Sequence, residues 1–319
     1  MNILFVSSTR IGDAVLSTGL LAHLTKSFPE AHVTIACGPL PAPIFAHAPG
    51  VKRVIVLHKR PWAGHWLDLW RDVVGTAWDM VVDLRGSALS WTVWTRKRHV
   101  FRRAEASLHR VEALGRLLSL DDPPAPRISW SAAEDAFAAE HIGEGGPVLG
   151  LGPTANWAAK IWPAGRFIEL LTRITRPHGL LPDARIAVFG GDGERPIADP
   201  VLQAIPSERC IDLVGTVDIL TAAACLARCD LFVGNDSGLM HIAAATGTPT
   251  LGLFGPSQPV HYAPWGPHCA VAETDIPYAA LVGAADFDHR TSGTLMTSLS
   301  VDRVVDAAEE LWRRTEIES

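Results

Sequence analysis

The sequence predicts two doubly wound α/β domains, and three observations carry that expectation. Its 319 residues suit two domains of about 150 each better than one. Short runs rich in Val, Ile and Leu alternate with helical patterns throughout, the pattern of parallel sheets covered on both faces. The rhythm breaks at Gly143-Glu144-Gly145-Gly146-Pro147 and then restarts, which places the domains at residues 1–145 and 146–319.

In the first domain, residues 3–7 read as a buried strand, followed by a turn and a helix over about 13–28. Residues 32–37, 54–57 and 79–84 supply three more strands. After the break, 148–152 is a strand, 163–176 a helix with Pro163 at a favourable early position, and 185–189 a strand ending in Gly190-Gly191. Residues 221–227 form a helix, 231–233 a strand, 239–246 a helix and 250–254 a strand. The last helix, 301–314, starts from Ser300 as N-cap and is free to pack on either domain. No low-complexity tract and no short-period repeat interrupts the series.

Composition narrows the function classes. With 48% hydrophobic and 19% charged residues the chain can bury a sizeable core, which excludes disorder as its main state. The net charge of -6 argues against a nucleic-acid binder. That charge is uneven, at +2 over residues 1–145 and -8 over 146–319. Of the basic residues 23 are Arg and 5 are Lys, and Lys160 is the sole lysine of the second half. Five scattered cysteines point to a reducing compartment. Cys225 and Cys229 lack a neighbouring Cys or His pair that would complete a zinc site, and read as buried thiols. The apolar run at residues 1–6 has no basic flank and is too short for a signal peptide, and no stretch approaches the ~18 apolar residues of a membrane span. The expected location is cytoplasmic, with contact at a membrane surface left open.

Open α/β sheets bind ligands beyond the carboxyl ends of their strands, so the loops that follow strands are the ones to read. The first, Ser7-Ser8-Thr9-Arg10-Ile11-Gly12-Asp13, puts Asp13 in the first turn of a helix, either as a capping carboxylate or as a general base. It carries no Gly-x-Gly-x-x-Gly, which disfavours a nicotinamide oxidoreductase. The second loop runs from Gly152 through Thr154 to Lys160. Its hydroxyl, amides and ammonium could hold a phosphate, unless Lys160 is only a solvated surface residue.

In the third loop, Gly234-Asn235-Asp236-Ser237-Gly238 exposes backbone amides at a helix start, a site for a pyrophosphate. There Asp236 would accept hydrogen bonds from hydroxyls or order the loop, and His241 in the first helical turn could donate to an anion. Asp192 or Glu194, after Gly190-Gly191, could bind ribose hydroxyls or cap a helix. Lastly, Arg96-Lys97-Arg98-His99-Val100-Phe101-Arg102-Arg103, extended through Arg110 and Arg116, carries seven basic residues against Glu105 and Glu112, with Trp91 and Trp94 ahead of it. It reads either as a solvated face or as a patch for acceptor phosphates or an anionic leaflet.

Taken in order, Arg10-Ile-Gly-Asp13, Asp83-Leu-Arg85-Gly-Ser87, Lys160-x-Trp-Pro163, Asp236-Ser-Gly-Leu-x-His241 with Pro249, Phe254-Gly-Pro-Ser257 and Leu295-Met-Thr-Ser-Leu299 resemble glycosyltransferase family 9, which includes the ADP-heptose:lipopolysaccharide heptosyltransferases of Gram-negative bacteria. Leu295 stands where members often have a cysteine, and Ala155-Asn156 where hydroxyls are frequent.

The resemblance implies a GT-B fold of two facing Rossmann-like domains, with acceptor on the first and nucleotide sugar on the second. It implies inverting transfer without a metal or other cofactor, with the charge on the leaving diphosphate met by protein groups. Asp13 matches the catalytic base. Thr154, Lys160, Asp192, Glu194, Asp236, Ser237, Gly238 and His241 match the donor site. Arg10, Arg85, Arg98, Arg102 and Arg103 are the candidate contacts to an anionic, lipid-linked saccharide at the inner face of the inner membrane. The expected donor is ADP-L-glycero-D-manno-heptose and the acceptor the lipopolysaccharide core, with no nucleic-acid partner. A GT-B-like sugar-nucleotide epimerase, which needs no acceptor patch, and a non-catalytic nucleotide-sugar-binding module are the alternatives.

Overall fold

β1 (Asn2–Val6) is buried because it is the middle strand of a parallel sheet, flanked by β2 (His32–Cys37) and β4 (Trp78–Asp83). The computed structural model describes residues 1–102, 105–283 and 292–318. β3 (Val51–Val56) and β5 (Thr95–Val100) form the edges, giving the order β3-β2-β1-β4-β5. The connecting helices are α1 (Ile11–Ser27), α2 (Gly64–Val73) and α3 (Arg110–Leu117). α1 is pinned against the chain ahead of residue 129: a Cβ on Gly19 would lie 2.1 Å from the Pro124 carbonyl oxygen, and Thr18 Oγ1 accepts the Arg127 amide at 2.9 Å.

The second sheet has six parallel strands. In chain order its unit contains α4 (Ala132–His141), β6 (Val148–Gly152), α5 (Ala164–Ile174), β7 (Arg185–Gly190), α6 (Arg195–Leu202) and β8 (Cys210–Val214). There follow α7 (Ile219–Leu226), β9 (Leu231–Asn235), α8 (Gly238–Ala245), β10 (Thr250–Phe254), α9 (Pro259–Tyr262), β11 (Cys269–Glu273), α10 (Tyr278–Val282) and α11 (Val301–Glu318). The strand order is β11-β10-β9-β6-β7-β8. β6, β9 and β10 are buried at every position, as the interior of a sheet covered on both faces requires.

The compact units are Met1–Ser129 and Trp130–Ser319, so the division falls ahead of the Gly-rich break. The reason is α4, which packs on α7 and belongs to the second unit. Gly143, Gly145 and Gly146 turn the chain from α4 into β6 at positive φ (55, 136 and 99°). Moving that acidic helix sharpens the charge asymmetry to +6 and -12. α11 packs on β11, β10 and α5, burying Val304, Ala308 and Leu311 in the second core.

Three strands that the sequence reading did not find, β5, β8 and β11, are all edge strands. β5 is the basic run itself, Thr95-Arg96-Lys97-Arg98-His99-Val100. Charge on an edge strand deters pairing with another chain. The five cysteines are free, with Cys37, Cys225 and Cys229 buried.

Candidate active site

In the first unit β1 ends at Val6, and the chain turns through Ser7-Ser8-Thr9 into α1, whose N-cap is Arg10 with extended backbone. Asp13 therefore lies in the first turn of α1 at the carboxyl edge of the sheet. Its Oδ2 accepts from Ser8 Oγ at 3.4 Å, and Arg110 Nε, from the start of α3, lies 4.0 Å from Oδ1. The guanidinium of Arg110 is also stacked over Phe101, 4.3 Å from the ring centre. The Asp13 side chain keeps about a fifth of its surface exposed. A carboxylate with one long hydrogen bond, near a cation and open to solvent, retains acceptor capacity for a substrate hydroxyl.

The adjacent loop after β4 is built around Asp83, which is fully buried. Its oxygens accept from the Arg85 amide (2.8 Å), the Ser87 amide (2.8 Å), Ser87 Oγ (2.6 Å) and Ser90 Oγ (2.5 Å). The turn needs a glycine, because Gly86 has φ +61° and a Cβ there would meet the Phe101 carbonyl oxygen at 2.7 Å. Arg85 is presented on this loop, exposed, with its guanidinium 5.9 Å from the Trp66 ring centre.

The remaining candidate arginines are placed differently. Arg98 donates from Nε to the Ser90 carbonyl at 2.5 Å and lies over Trp91, 4.9 Å from the ring centre, so its charge already serves the loop. Arg10 and Arg102 are exposed, while Arg103 lies outside the described residues. Within the basic run Arg96 stands 3.6 Å from Asp79 and Arg116 2.7 Å from Glu105.

In the second unit the carboxyl ends of β6, β7, β9 and β10 bring the donor-site candidates together. Lys160 Nζ donates to Asp236 Oδ2 at 2.5 Å, and the two side chains are 20% and 7% exposed. The lysine is held by its neighbours: Trp162, fully buried, donates its backbone amide to Asn235 Oδ1 (3.0 Å) and its indole N–H to the Leu299 carbonyl (3.0 Å). Trp162 also meets Phe167 edge-on at 4.9 Å. The Leu295 amide donates to the Ala159 carbonyl at 3.0 Å, so the late Leu295-Met296 segment braces the same loop.

A second cluster sits on β6 and β7. Glu194 Oε2 accepts from Thr154 Oγ1 and from the Gly191 amide, each at 2.7 Å. Asp192 is exposed and packs its backbone against Gly215. The structure thus joins Glu194 rather than Asp192 to the buried Thr154.

Ser237 is the N-cap of α8, Gly238 its first residue, and His241 is buried in the first turn. At this start Asn235 Nδ2 and Ser237 Oγ, and elsewhere in the unit Ser257 Oγ after β10 and Ser298 Oγ ahead of α11, are buried and have no hydrogen-bond partner among the described residues. Buried polar groups are normally satisfied, so Asn235 and Ser237 at the α8 N-terminus suit a polar ligand. Asn235 and Ser298 were not singled out from the sequence. Asn235 stands next to Asp236 and Ser298 inside a quoted motif, but their unmet donors show only in the fold. The same holds for Arg110, whose approach to Asp13 is tertiary. No group of three His, Cys, Asp or Glu side chains is arranged to hold a metal among the described residues, and no helix there is long and apolar enough to cross a membrane.

The sequence profile of glycosyltransferase family 9 (heptosyltransferase) matches residues 110–280, more than half of the chain. The chain is 26% identical over 305 residues to lipooligosaccharide heptosyltransferase 2 of Haemophilus influenzae, covering 83% of this chain and 86% of the relative. It is 25% identical over 317 residues to lipopolysaccharide heptosyltransferase 1 of Pseudomonas aeruginosa, covering 88% and 85%. Among solved structures, a family 9 glycosyl transferase of Veillonella parvula superposes with a TM-score of 0.81 at 22% identity, covering 100% of this chain and 98% of that one. The Escherichia coli ADP-heptose lps heptosyltransferase II superposes with a TM-score of 0.76 at 21% identity, covering 99% and 100%. The fold is the two-domain α/β, GT-B architecture that the sequence predicts. This chain belongs to glycosyltransferase family 9, the heptosyltransferase family, and is a glycosyltransferase.

Proposed function

We propose that the protein transfers a heptosyl unit from ADP-L-glycero-D-manno-heptose to the lipopolysaccharide core, with inversion and without a metal or other cofactor. The observation that carries this reading is the loop after β9, where Asp236 holds Lys160 and the buried, unpartnered Asn235 Nδ2 and Ser237 Oγ stand at the α8 N-terminus. The relatives, lipopolysaccharide and lipooligosaccharide heptosyltransferases, and the similar fold of an E. coli ADP-heptose lps heptosyltransferase support heptose as the sugar and ADP as the nucleotide.

In this reading the diphosphate lies against the α8 N-terminus, where backbone amides and the helix dipole favour an anion. Lys160 and His241 meet the charge that builds on the leaving group, which is electrostatic stabilisation where the transition state needs it. Glu194, already holding Thr154, offers its second oxygen to ribose hydroxyls. Asp13 takes the proton of the attacking acceptor hydroxyl, Arg110 keeps that carboxylate oriented, and Arg10, Arg85 and Arg102 meet acceptor phosphates. The acceptor is an anionic, lipid-linked saccharide at the cytoplasmic face of the inner membrane.

A panel of nucleotides tests the donor assignment. A ligand that binds only the folded state at about 100 times its Kd adds about 2.7 kcal/mol of stability. ADP and ADP-heptose should raise the melting temperature well above UDP, GDP or their sugars. Stabilisation by UDP or GDP in preference to ADP would overturn the assignment.

A further inference from the structure

α2 buries one stripe and leaves apolar side chains along its flank partly exposed. Leu69 and Val73 pack with Trp66 against Val6, Trp78, Leu89 and Val93 in the first core. Beside that stripe Leu67, Trp70 and the C-cap Val74, spaced i, i+3 and i+7, are 49%, 36% and 36% exposed, while Asp68, Arg71 and Asp72 take the outward face.

The loop that enters α2 from β3 continues this surface. Trp62 is fully exposed, and both Trp62 and Ala63 have left-handed backbone (φ 55 and 56°), a conformation that costs non-glycine residues energy and here presents an indole to solvent. Between residues 51 and 75, Lys52, Arg53, Lys59, Arg60 and Arg71 stand against Asp68 and Asp72, a local balance of +3 within a unit of +6. Asp68 holds Arg60 at 2.5 Å and Arg71 at 3.8 Å, and Asp72 holds Arg53 at 3.4 Å.

We propose that this surface docks on an anionic lipid bilayer, with Trp62 and Trp70 at headgroup depth and the basic side chains toward lipid phosphates. Indoles favour the membrane–water interface, and clustered basic residues are drawn to an anionic leaflet. Charge complementarity selects a lipid surface over a neutral or basic protein partner. The loop leaves β3 at the carboxyl edge of the first sheet, the edge that also carries Asp13 and Arg85. Arg85 approaches α2 from its inner side, at Trp66. A bilayer seated there delivers a lipid-linked saccharide to those residues. The docking rests on the proposed function only for what the lipid carries.

The full chain is tested by co-sedimentation with vesicles of phosphatidylglycerol and phosphatidylethanolamine, and with phosphatidylcholine alone, without any saccharide. Binding is expected to the first and not the second, with a loss of about tenfold in the Trp62→Ala/Trp70→Ala variant and a comparable loss for wild type in high salt. The variant should melt like wild type and transfer sugar to a water-soluble core saccharide at the wild-type rate. Absence of binding to the anionic vesicles, equal binding to phosphatidylcholine, or full binding by the double variant overturns the proposal. So does loss of transfer to the soluble saccharide with vesicle binding intact, which would assign the surface to the sugar. Vesicle binding that behaves as described in a protein that transfers no sugar leaves the docking standing and removes the heptosyl reading.

Discussion

Lys160 Nζ and Asp236 Oδ2 are 2.5 Å apart, although 76 residues separate them in sequence. The pair ties the loop after β6 to the loop after β9, and gives the nearly buried carboxylate its counter-charge. In the proposed reaction the donor diphosphate engages a lysine that already has an anionic partner. Asp236 thus sets both the position of the ammonium and the charge the donor meets.

Removal of both partners should cost less than the sum of the two single removals. Breaking a buried pair costs about 3–5 kcal/mol, and the partial exposure of Lys160 lowers the expected loss in Lys160→Ala to about 2 kcal/mol. Lys160→Ala/Asp236→Ala should be less destabilised than the sum of the single variants, by about 0.5–3 kcal/mol. Urea unfolding of the four proteins measures this coupling, and strict additivity would show that the pair is not energetically linked. ADP should stabilise Lys160→Ala far less than wild type.

Glu194 has a comparable role for Thr154. In Glu194→Ala the buried Thr154 hydroxyl and the Gly191 amide lose their common acceptor, at a cost of about 1–3 kcal/mol. If the other carboxylate oxygen holds the ribose, KM for the donor should rise several-fold more than kcat falls. Steady-state kinetics at varied donor concentration decide this; a fall confined to kcat would remove Glu194 from donor binding. Asp192→Ala, at an exposed position, should change neither quantity much.

The thiols predict an alkaline limit. Burial pushes Cys37 up from 9.0 to about 12, and Cys225 to about 11. The unfolded chain then loses thiol protons at lower pH than the folded one. Their contribution to stability is complete below pH 9 and is lost as pH rises from about 9 toward 12. The melting temperature should fall across that window, less steeply in Cys37→Ala. At pH 8 the native protein should show no rapid reaction of Cys37, Cys225 or Cys229 with a thiol reagent. A burst of modification there, or identical pH profiles for the two proteins, would contradict this account.

Much of the fold was legible because β1, β2, β4, β6, β9 and β10 are apolar along nearly their whole length. β5 was not, since an edge strand has one unpaired side and tolerates charge; Arg96-Lys97-Arg98 reads as a surface patch until it is seen paired with β4, while β8 and β11 each carry one carboxylate, Asp212 or Glu273, where β6, β9 and β10 carry none. The Gly-rich break was over-read as a boundary, because a turn within a unit and a linker between units share glycines. In the site, Lys160 stood out by scarcity and Asp236 by its place after a strand. Their contact did not, nor did the approach of Arg110 to Asp13 or the choice of Glu194 over Asp192, because tertiary structure alone decides these.

In the proposed reaction heptose leaves an ADP-linked donor while Asp13 takes the proton of the acceptor hydroxyl. The most direct measurement is mass spectrometry of a heptose-deficient lipopolysaccharide core acceptor incubated with ADP-L-glycero-D-manno-heptose and a chelator, for wild type and Asp13→Asn side by side. Wild type should add one heptosyl unit, and Asp13→Asn should do so about 10²–10⁴-fold more slowly. An unmodified acceptor with wild type, or transfer at the wild-type rate by Asp13→Asn, would contradict the account.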